Sequence, residues 1–429
     1  MPKAIISNRI YMDNPGADYL KKIIKTLTYK IAKDTGSKKF FAVETIKNYK
    51  MLPKGIVSIP QGRQDLIPEN FEIIDKRSLV PVPFPETIHP LRDDQVLIYN
   101  EVKDTCFINA LPGWGKTFTA LHLARKFGQR TLVITHTAAL RDQWIEEVKI
   151  LFGMTAGVIG GGEFDIEDRA IVVGNIQSVV KHLATLSKEF GTVIMDEAHH
   201  CPATTFSTTV DSFYARYRIA LSGTMIRKDG KHILFPDYFG THVLKPPEAN
   251  TLIPKIRIVK SGITLKTGAT WVEKINDLCE NDKYRQFVAG IANIEIDNGH
   301  SVLIIADRVE FLQKVKEYVG ETCLLVTGTE GDRDQAKQQI LNGEKKAIAG
   351  SRQIFSEGIS INALSCVILA VPMSNDSLLE QIIGRIQRIF PEKLNPLVID
   401  INFAGYADKK QNNDRLGLYM RKGWQITTI

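Results

Sequence analysis

Cysteine is scarce in this sequence and nowhere paired. Cys106, Cys201, Cys279, Cys323 and Cys366 are odd in number, with no Cys-x-x-Cys among them. That argues against a disulfide framework and against the usual zinc-ligand spacings, and leaves five ordinary buried thiols. Long apolar runs are missing as well: nothing approaches the ~20 residues that span a bilayer. Asn8, Arg9 and Asp13 fall where a secretory segment would be apolar. A cytoplasmic protein is the expectation. An Asn-Lys-x-Asp stretch is also absent, which removes the main sign of a guanine-reading GTPase.

An ordinary globular composition is present instead, 44% apolar and 24% charged over 429 residues, enough for two or three domains with sizeable cores. The charge is uneven. Residues 1–85 hold 15 Lys/Arg against 8 Asp/Glu, leaving 40 against 40 for the rest, so the formal excess of +7 lies entirely in the first segment. Lys21, Lys22, Lys25, Lys30, Lys33, Lys38 and Lys39 cluster on and just after a predicted helix. They suit a phosphate backbone, with a solvated helix face as the plain alternative.

Ala110-Leu-Pro-Gly-Trp-Gly-Lys-Thr117 follows the apolar run Cys106–Ile108 and precedes a helically spaced segment, Phe118–Phe127. Strand, glycine loop and helix in that order make a phosphate site. Gly113 and Gly115 let backbone N–H groups converge on phosphate oxygens, Lys116 reaches the outer phosphates and Thr117 can hold Mg²⁺. Ala110 stands where the strict pattern has its first glycine, and Trp114 is bulky for such a loop; a structural turn is the alternative. Further on, the apolar run Thr192–Met195 ends in Asp196-Glu-Ala-His199. Adjacent carboxylates at the end of a buried strand need a cation or a proton-transfer task. Asp196 would hold Mg²⁺ with Thr117, and Glu197 would polarise the attacking water; a helix N-terminal turn is the competing explanation. His199, His200 and Cys201 have no second ligand group at metal spacing.

Along the chain, a strand is predicted over Ala4–Met12 and a helix over Asp18–Ile31, then short strands at Phe40–Val43, Gly55–Ile59 and Phe71–Ile74. Pro81, Pro83, Pro85 and Pro90 favour extended, semi-rigid backbone and mark a linker. Apolar runs then alternate with helical segments: Thr131–Thr135, Ala170–Val173, Thr192–Met195 and Arg218–Leu221, and beyond Lys245-Pro-Pro247 a second series, Ile256–Val259, Ser301–Ile305, Cys323–Val326, Ala347–Ala349, Cys366–Ala370 and Leu397–Asp400. Such runs indicate parallel sheets covered on both faces. The fold class is α/β, with a small α+β domain over 1–85 and two parallel-sheet domains over 86–250 and 251–429.

Ala110–Thr117, Asp196–His199, Leu221-Ser-Gly-Thr224 and Gln381-Ile-Ile-Gly-Arg-Ile-Gln-Arg388 stand in the order found in superfamily 2 helicases, which the chain resembles from about residue 91 to 402. Leu91–Gln95, Ser222–Gly230 and Tyr419–Trp424 resemble the branch that includes UvsW, RadD and XPB. The resemblance implies two tandem RecA-like motor domains, ATP and Mg²⁺ as cofactors, and a DNA partner that is branched or forked, in recombination, repair or replication. It also implies site residues. Arg92 and Gln95 would read adenine; Pro112, Gly113, Trp114, Gly115, Lys116, Thr117 and Asp196 would hold the nucleotide; Gly358, in Glu357-Gly-Ile359, would link it to the nucleic-acid groove. Lys116, Glu197, Gln381, Arg385 and Arg388 would carry the chemistry, the two arginines lying at i and i+3 on one helix face. Alone, that pair also fits a surface salt-bridge helix. Thr135, His136, Arg141, Gln177 and Ser178, then Arg308, Thr327 and Ser351, would track a nucleic-acid strand, although turns and helix caps use the same residue types. A duplex translocase without strand separation, an RNA helicase and a binding module without catalysis stay open beside the DNA helicase.

Overall fold

The stretch predicted as one strand over Ala4–Met12 folds as a hairpin, β1 (Lys3–Ile6) and β2 (Arg9–Met12), turning at Ser7-Asn8 and pairing Ile6 with Ile10. The computed structural model describes the chain apart from residues 34–41, 111–112, 199–202, 224–229, 248–251, 267, 269, 328–332, 353–360 and 405–407. It falls into two compact units, Met1–Pro247 and Glu248–Ile429.

In the first unit the helix Ala17–Thr26 stops before the predicted end at Ile31, because Thr28, Tyr29 and Ile31 belong to β3 (Thr28–Lys33), which pairs antiparallel with β4 (Ala42–Lys47). β-branched and aromatic side chains suit a pleated surface better than a helix. Lys21, Lys22 and Lys25 therefore stand on the helix and Lys30 on the hairpin, while Lys38 and Lys39 lie outside the described residues. β5 (Lys50–Met51), β6 (Val57–Pro60) and β7 (Glu72–Asp75) complete a sheet of order β5-β6-β2-β1-β7. Ala4, Ile6, Ile10 and Met12 bury one face of it against Ile23 and Leu27.

The proline segment is extended as predicted, but it lies along the next sheet. Ser78 N–H donates to Tyr214 O at 2.7 Å, Arg130 N–H to Val80 O at 2.7 Å and Val82 N–H to Gly128 O at 3.0 Å. Phe84 packs on Phe152. Beyond it come β8 (Cys106–Asn109), β9 (Thr131–Thr135), β10 (Gly157–Gly160), β11 (Glu163–Asp165), β12 (Ile171–Asn175), β13 (Thr192–Met195), β14 (Tyr217–Ser222) and β15 (Val243–Leu244). Their order is β11-β10-β12-β9-β13-β14-β8-β15, parallel except for β10 with β11. Successive residues of a strand face opposite sides, so Val133 and Ile194 pack under the helices Lys116–Phe127 and Ala138–Phe152, while Leu132 and Val193 pack with Phe190, Phe213 and Phe239.

Residues 1–75 are tied to this sheet through buried polar groups. Arg9 pairs with Asp211. Arg218 on β14, fully buried, donates to Asn8 O at 2.9 Å and Phe213 O at 2.6 Å, and burial pushes its pKa down to about 10. Asp237, with no exposed surface, accepts from Tyr29 Oη at 2.8 Å, Asn48 Nδ2 at 2.7 Å and Arg63 Nη1 at 3.1 Å. Removing one partner of a buried charge pair costs about 3–5 kcal/mol. Asp237→Ala is therefore expected to lower the melting temperature by on the order of 10 °C in a thermal scan. An unchanged melting temperature would mean that the three donors rehydrate freely and that this junction holds nothing together.

The second unit is a single all-parallel sheet: β16 (Lys255–Thr264), β17 (Val302–Ala306), β18 (Cys323–Val326), β19 (Ala347–Ser351), β20 (Cys366–Leu369), β21 (Leu397–Ala404) and β22 (Gln425–Thr428), ordered β18-β19-β17-β20-β21-β16-β22. Arg415 and Tyr419 of the helix Lys409–Arg421 reach Asp400 on β21 at 2.9 and 3.0 Å, and Trp424 packs near Tyr419. The Tyr419–Trp424 segment is thus structural. β10, β11, β15 and β22 escape the sequence pattern because they are short, glycine-bounded or polar, and their neighbours in the sheet define them. Cys106, Cys279, Cys323 and Cys366 are buried free thiols, the first three pushed up to about 12 chiefly by burial; Cys201 lies outside the described residues.

Candidate nucleotide site and nucleic-acid surface

At the carboxyl end of β8, Ala110 N–H donates to Ser222 O at 3.0 Å, joining the start of the glycine loop to the end of β14. Gly113 and Gly115 have φ of 88° and 94°, where a side chain is strained. The helix then starts at Lys116, aiming its first N–H groups into the loop. Trp114 is 7% exposed and belongs to the same core cluster as Ile98, Val102 and Ala120, so its bulk anchors the loop in the core. Its carbonyl oxygen accepts from Arg92 Nη2 at 2.5 Å and Gln95 Nε2 at 3.1 Å, while Gln95 Oε1 accepts from Arg92 N–H at 3.0 Å. Both ends of the Gln95 amide, expected to face adenine, are here engaged, the nitrogen by the loop and the oxygen by the start of its own helix. Pro112 lies outside the described residues.

Lys116 Nζ donates to Ala110 O at 3.0 Å and stands 3.7 Å from Glu197, which brings the loop and the acidic pair together. Asp196, 5% exposed, accepts from Trp144 Nε1 at 2.8 Å and from Glu197 N–H at 2.9 Å. Burial, and then the neighbouring Glu197 charge, raise its pKa. Glu197 has φ of 45°, an uncommon backbone for a residue with a side chain. Thr117 is the second residue of the helix.

The residues expected to track nucleic acid gather at strand ends. Thr135 closes β9 beside Asn175, which closes β12. Gln177 Nε2 donates to His136 O at 3.4 Å. Arg141 lies over the turn that ends β10, where a Cβ on Gly161 would come within 3.1 Å of its guanidinium and one on Gly160 within 3.4 Å of Ser178 Oγ. All five therefore share one carboxyl edge of the sheet, where open α/β sheets bind ligands. In the second unit, Arg308 follows β17, Thr327 follows β18 and Ser351 closes β19, three adjacent strands. Arg308 Nε donates to Asn276 at 2.8 Å and Thr327 is buried.

Gln381 is buried on the helix Asp376–Ile386, with Arg385 in its last turn. The i, i+3 spacing puts Arg388 on the helix face of Arg385, but the structure places it beyond the helix end. The helix ends at Ile386, because Leu252 N–H captures Gln387 O at 2.9 Å and Pro391 follows. Arg388 Nη1 donates instead to Asn362 Oδ1 at 3.1 Å, and Lys393 Nζ donates to Arg388 O at 2.8 Å. Burial and then Arg385 push Arg388 down to about 9; burial and then Arg388 push Lys393 down to about 8. Among the described residues neither cation has an acidic partner, a cluster short of an anion. Gly358, Thr224 and His199 to Cys201 lie outside those residues.

The family described as "Type III restriction enzyme, res subunit" matches residues 72–227, and "Helicase conserved C-terminal domain" matches 282–390. A relative from Escherichia phage T5, "Probable helicase D10", is 40% identical over 100% of this chain and 96% of its own. This chain is a superfamily 2 helicase. Helicase relatives extend to the "DNA 3'-5' translocase XPB2" of Sulfurisphaera tokodaii, 26% identical over 78% of this chain and 87% of its own, and to "ATP-dependent DNA helicase uvsW" of Enterobacteria phage T4, 24% identical over 70% and 66%. Yeast Dbp5 bound to RNA and ADP BeF3 has the same fold, with a TM-score of 0.57 at 14% identity over 80% of this chain and 90% of that one.

The helicase hydrolyses ATP, and its loop fits that substrate. Among the described residues no group of three His, Cys, Asp or Glu could hold a metal by itself, and no helix is long and apolar enough to cross a membrane. Sequence reasoning missed Trp144, whose helical spacing reads as core although its N–H holds Asp196, and it missed Asn362 and Lys393 beside Arg388. At Gly115 of the helicase loop a Cβ would lie 2.4 Å from Gln95 Nε2. With strain of about 1–3 kcal/mol added, Gly115→Ala is expected to weaken ATP binding about tenfold in a fluorescent-nucleotide titration. Unaltered affinity would show that Gln95 is not required where it sits.

Proposed function

We propose that this helicase is a DNA motor that remodels or branch-migrates forked and junction DNA in recombination, repair or replication. The observation that carries the proposal is the +7 excess of residues 1–85, which fold in one unit with the ATP loop. Duplex arms of a branch are the natural target for basic surface beyond the motor itself. We divide the chain into a basic DNA-contacting domain over 1–85 and RecA-like domains over 86–250 and 251–429.

In the proposed cycle the loop from Pro112 to Lys116 cradles the phosphates, and Arg92 and Gln95 would exchange their bonds to Trp114 O for the adenine edge. Thr117 and Asp196 would hold Mg²⁺, which when bound neutralises phosphate charge. Glu197 takes a proton from the attacking water as its oxygen bonds to the γ-phosphorus and the bridging oxygen departs with ADP. Gln381 orients that water, and Arg385 and Arg388 neutralise the equatorial oxygens. Gly358 links the nucleotide to the nucleic-acid groove. Thr135, His136, Arg141, Gln177, Ser178, Arg308, Thr327 and Ser351 grip backbone, which positions the motor with little sequence preference. The test is ATPase stimulation by single-stranded DNA, duplex DNA, a four-way junction and RNA. Strongest stimulation by the junction is expected. Stimulation by plain duplex alone would make the protein a translocase, and stimulation by RNA alone an RNA helicase.

A further inference from the structure

A groove of about 550 Å³ runs beside the N-terminal sheet, within the first unit and apart from the ATP loop. Its lining comes from β2, from β4 and the turn into β5, and from the helix Ala203–Ser212. Two of its cations are already neutralised, Arg9 by Asp211 and Lys231 by Glu44. Lys47 and Lys50 also line it; both are exposed and, among the described residues, neither has an acidic partner. The groove therefore carries two uncompensated positive charges. Tyr11 and Tyr49, both part-buried, add ring surface, and Thr208 adds a hydroxyl.

We propose that this groove binds a single strand of nucleic acid, a contact separate from the strand-end surface and resting on the nucleic-acid motor proposed above. Lysines track phosphates and tyrosine rings stack on bases of any sequence, the pairing that single-strand grooves use. A duplex keeps its base faces stacked inside, so it cannot meet the rings and has no fitted place in the groove. The helix Ala203–Ser212 follows Asp196 and Glu197 in the chain and ends at the Arg9–Asp211 pair on the groove wall. Along the chain, one helix separates the groove wall from the carboxylates proposed to act on ATP.

The test uses the full chain with labelled oligothymidylate and a blunt duplex of equal length across a salt series. Lys47→Gln with Lys50→Gln is expected to weaken single-strand binding roughly tenfold near 0.1 M salt, and to make the salt slope shallower by about 1.4, or about 0.7 per contact. Duplex affinity should hold. Tyr49→Leu keeps the apolar contact with the N-terminal core but loses the ring. It should weaken single-strand binding without changing the slope. Lys149→Gln, exposed on the helix Ala138–Phe152 and outside both the groove and residues 1–85, is the control. Equal losses on both probes, or losses no larger than the control's, would overturn the groove assignment. So would displacement of the oligonucleotide by polyglutamate as readily as by unlabelled strand, which assigns an acidic peptide instead. Failure of the unaltered chain to bind either probe would defeat the nucleic-acid motor itself, a distinguishable result.

Discussion

Glu197→Gln should bind ATP as the unaltered helicase does and hydrolyse it slower by a factor on the order of 10²–10⁴, the usual contribution of a positioned general base. The substitution keeps the shape of a side chain that sits 3.7 Å from Lys116 and alters only its charge. It also removes the neighbouring charge that helps burial to raise the Asp196 pKa, so Asp196 should ionise more readily and nucleotide binding should not suffer. Lys116→Ala has the opposite signature. It removes the cation that meets the outer phosphates, so affinity should fall first. Nucleotide titration with single-turnover hydrolysis separates the two; normal turnover in Glu197→Gln would move the base elsewhere.

Arg388→Ala should lower kcat by a factor on the order of 10³ or more while nucleotide affinity changes much less, the pattern of an arginine that acts on the transferring phosphoryl group. Its surroundings sharpen the expectation. Arg388 is held by Asn362, crowded by Arg385 and Lys393, and pushed down to about 9 mainly by burial. Removing a buried cation from like-charged neighbours should not lower the melting temperature. A merely structural arginine would show the reverse, normal turnover with a lower melting temperature. Arg388→Lys should fail to restore the rate, because an ammonium lacks the planar fork that meets two oxygens at once. ATPase kinetics with saturating nucleic acid, beside thermal scans, decide the matter.

The sequence by itself determined the two parallel sheets, the loop and the acidic pair. Runs such as Thr192–Met195 and Cys366–Leu369 are β-branched or apolar at every position, which suits a strand covered on both faces. Gly113, Gly115 and Lys116 declare their chemistry within a few residues. Tertiary structure decided what depends on partners far along the chain. Ala4–Met12 turns at Asn8, whose side chain donates to Asp211 O, 203 residues on. The helix carrying Gln381 stops short of Arg388, where Pro391 offers no N–H to the Gln387 carbonyl and Leu252 N–H takes it instead. Trp114 belongs to the core and Trp144 to Asp196 for the same reason. Local pattern fixes backbone preference, but a polar group's partner is settled by burial, which charges each unpaired donor or acceptor the cost of lost water wherever its partner stands in sequence.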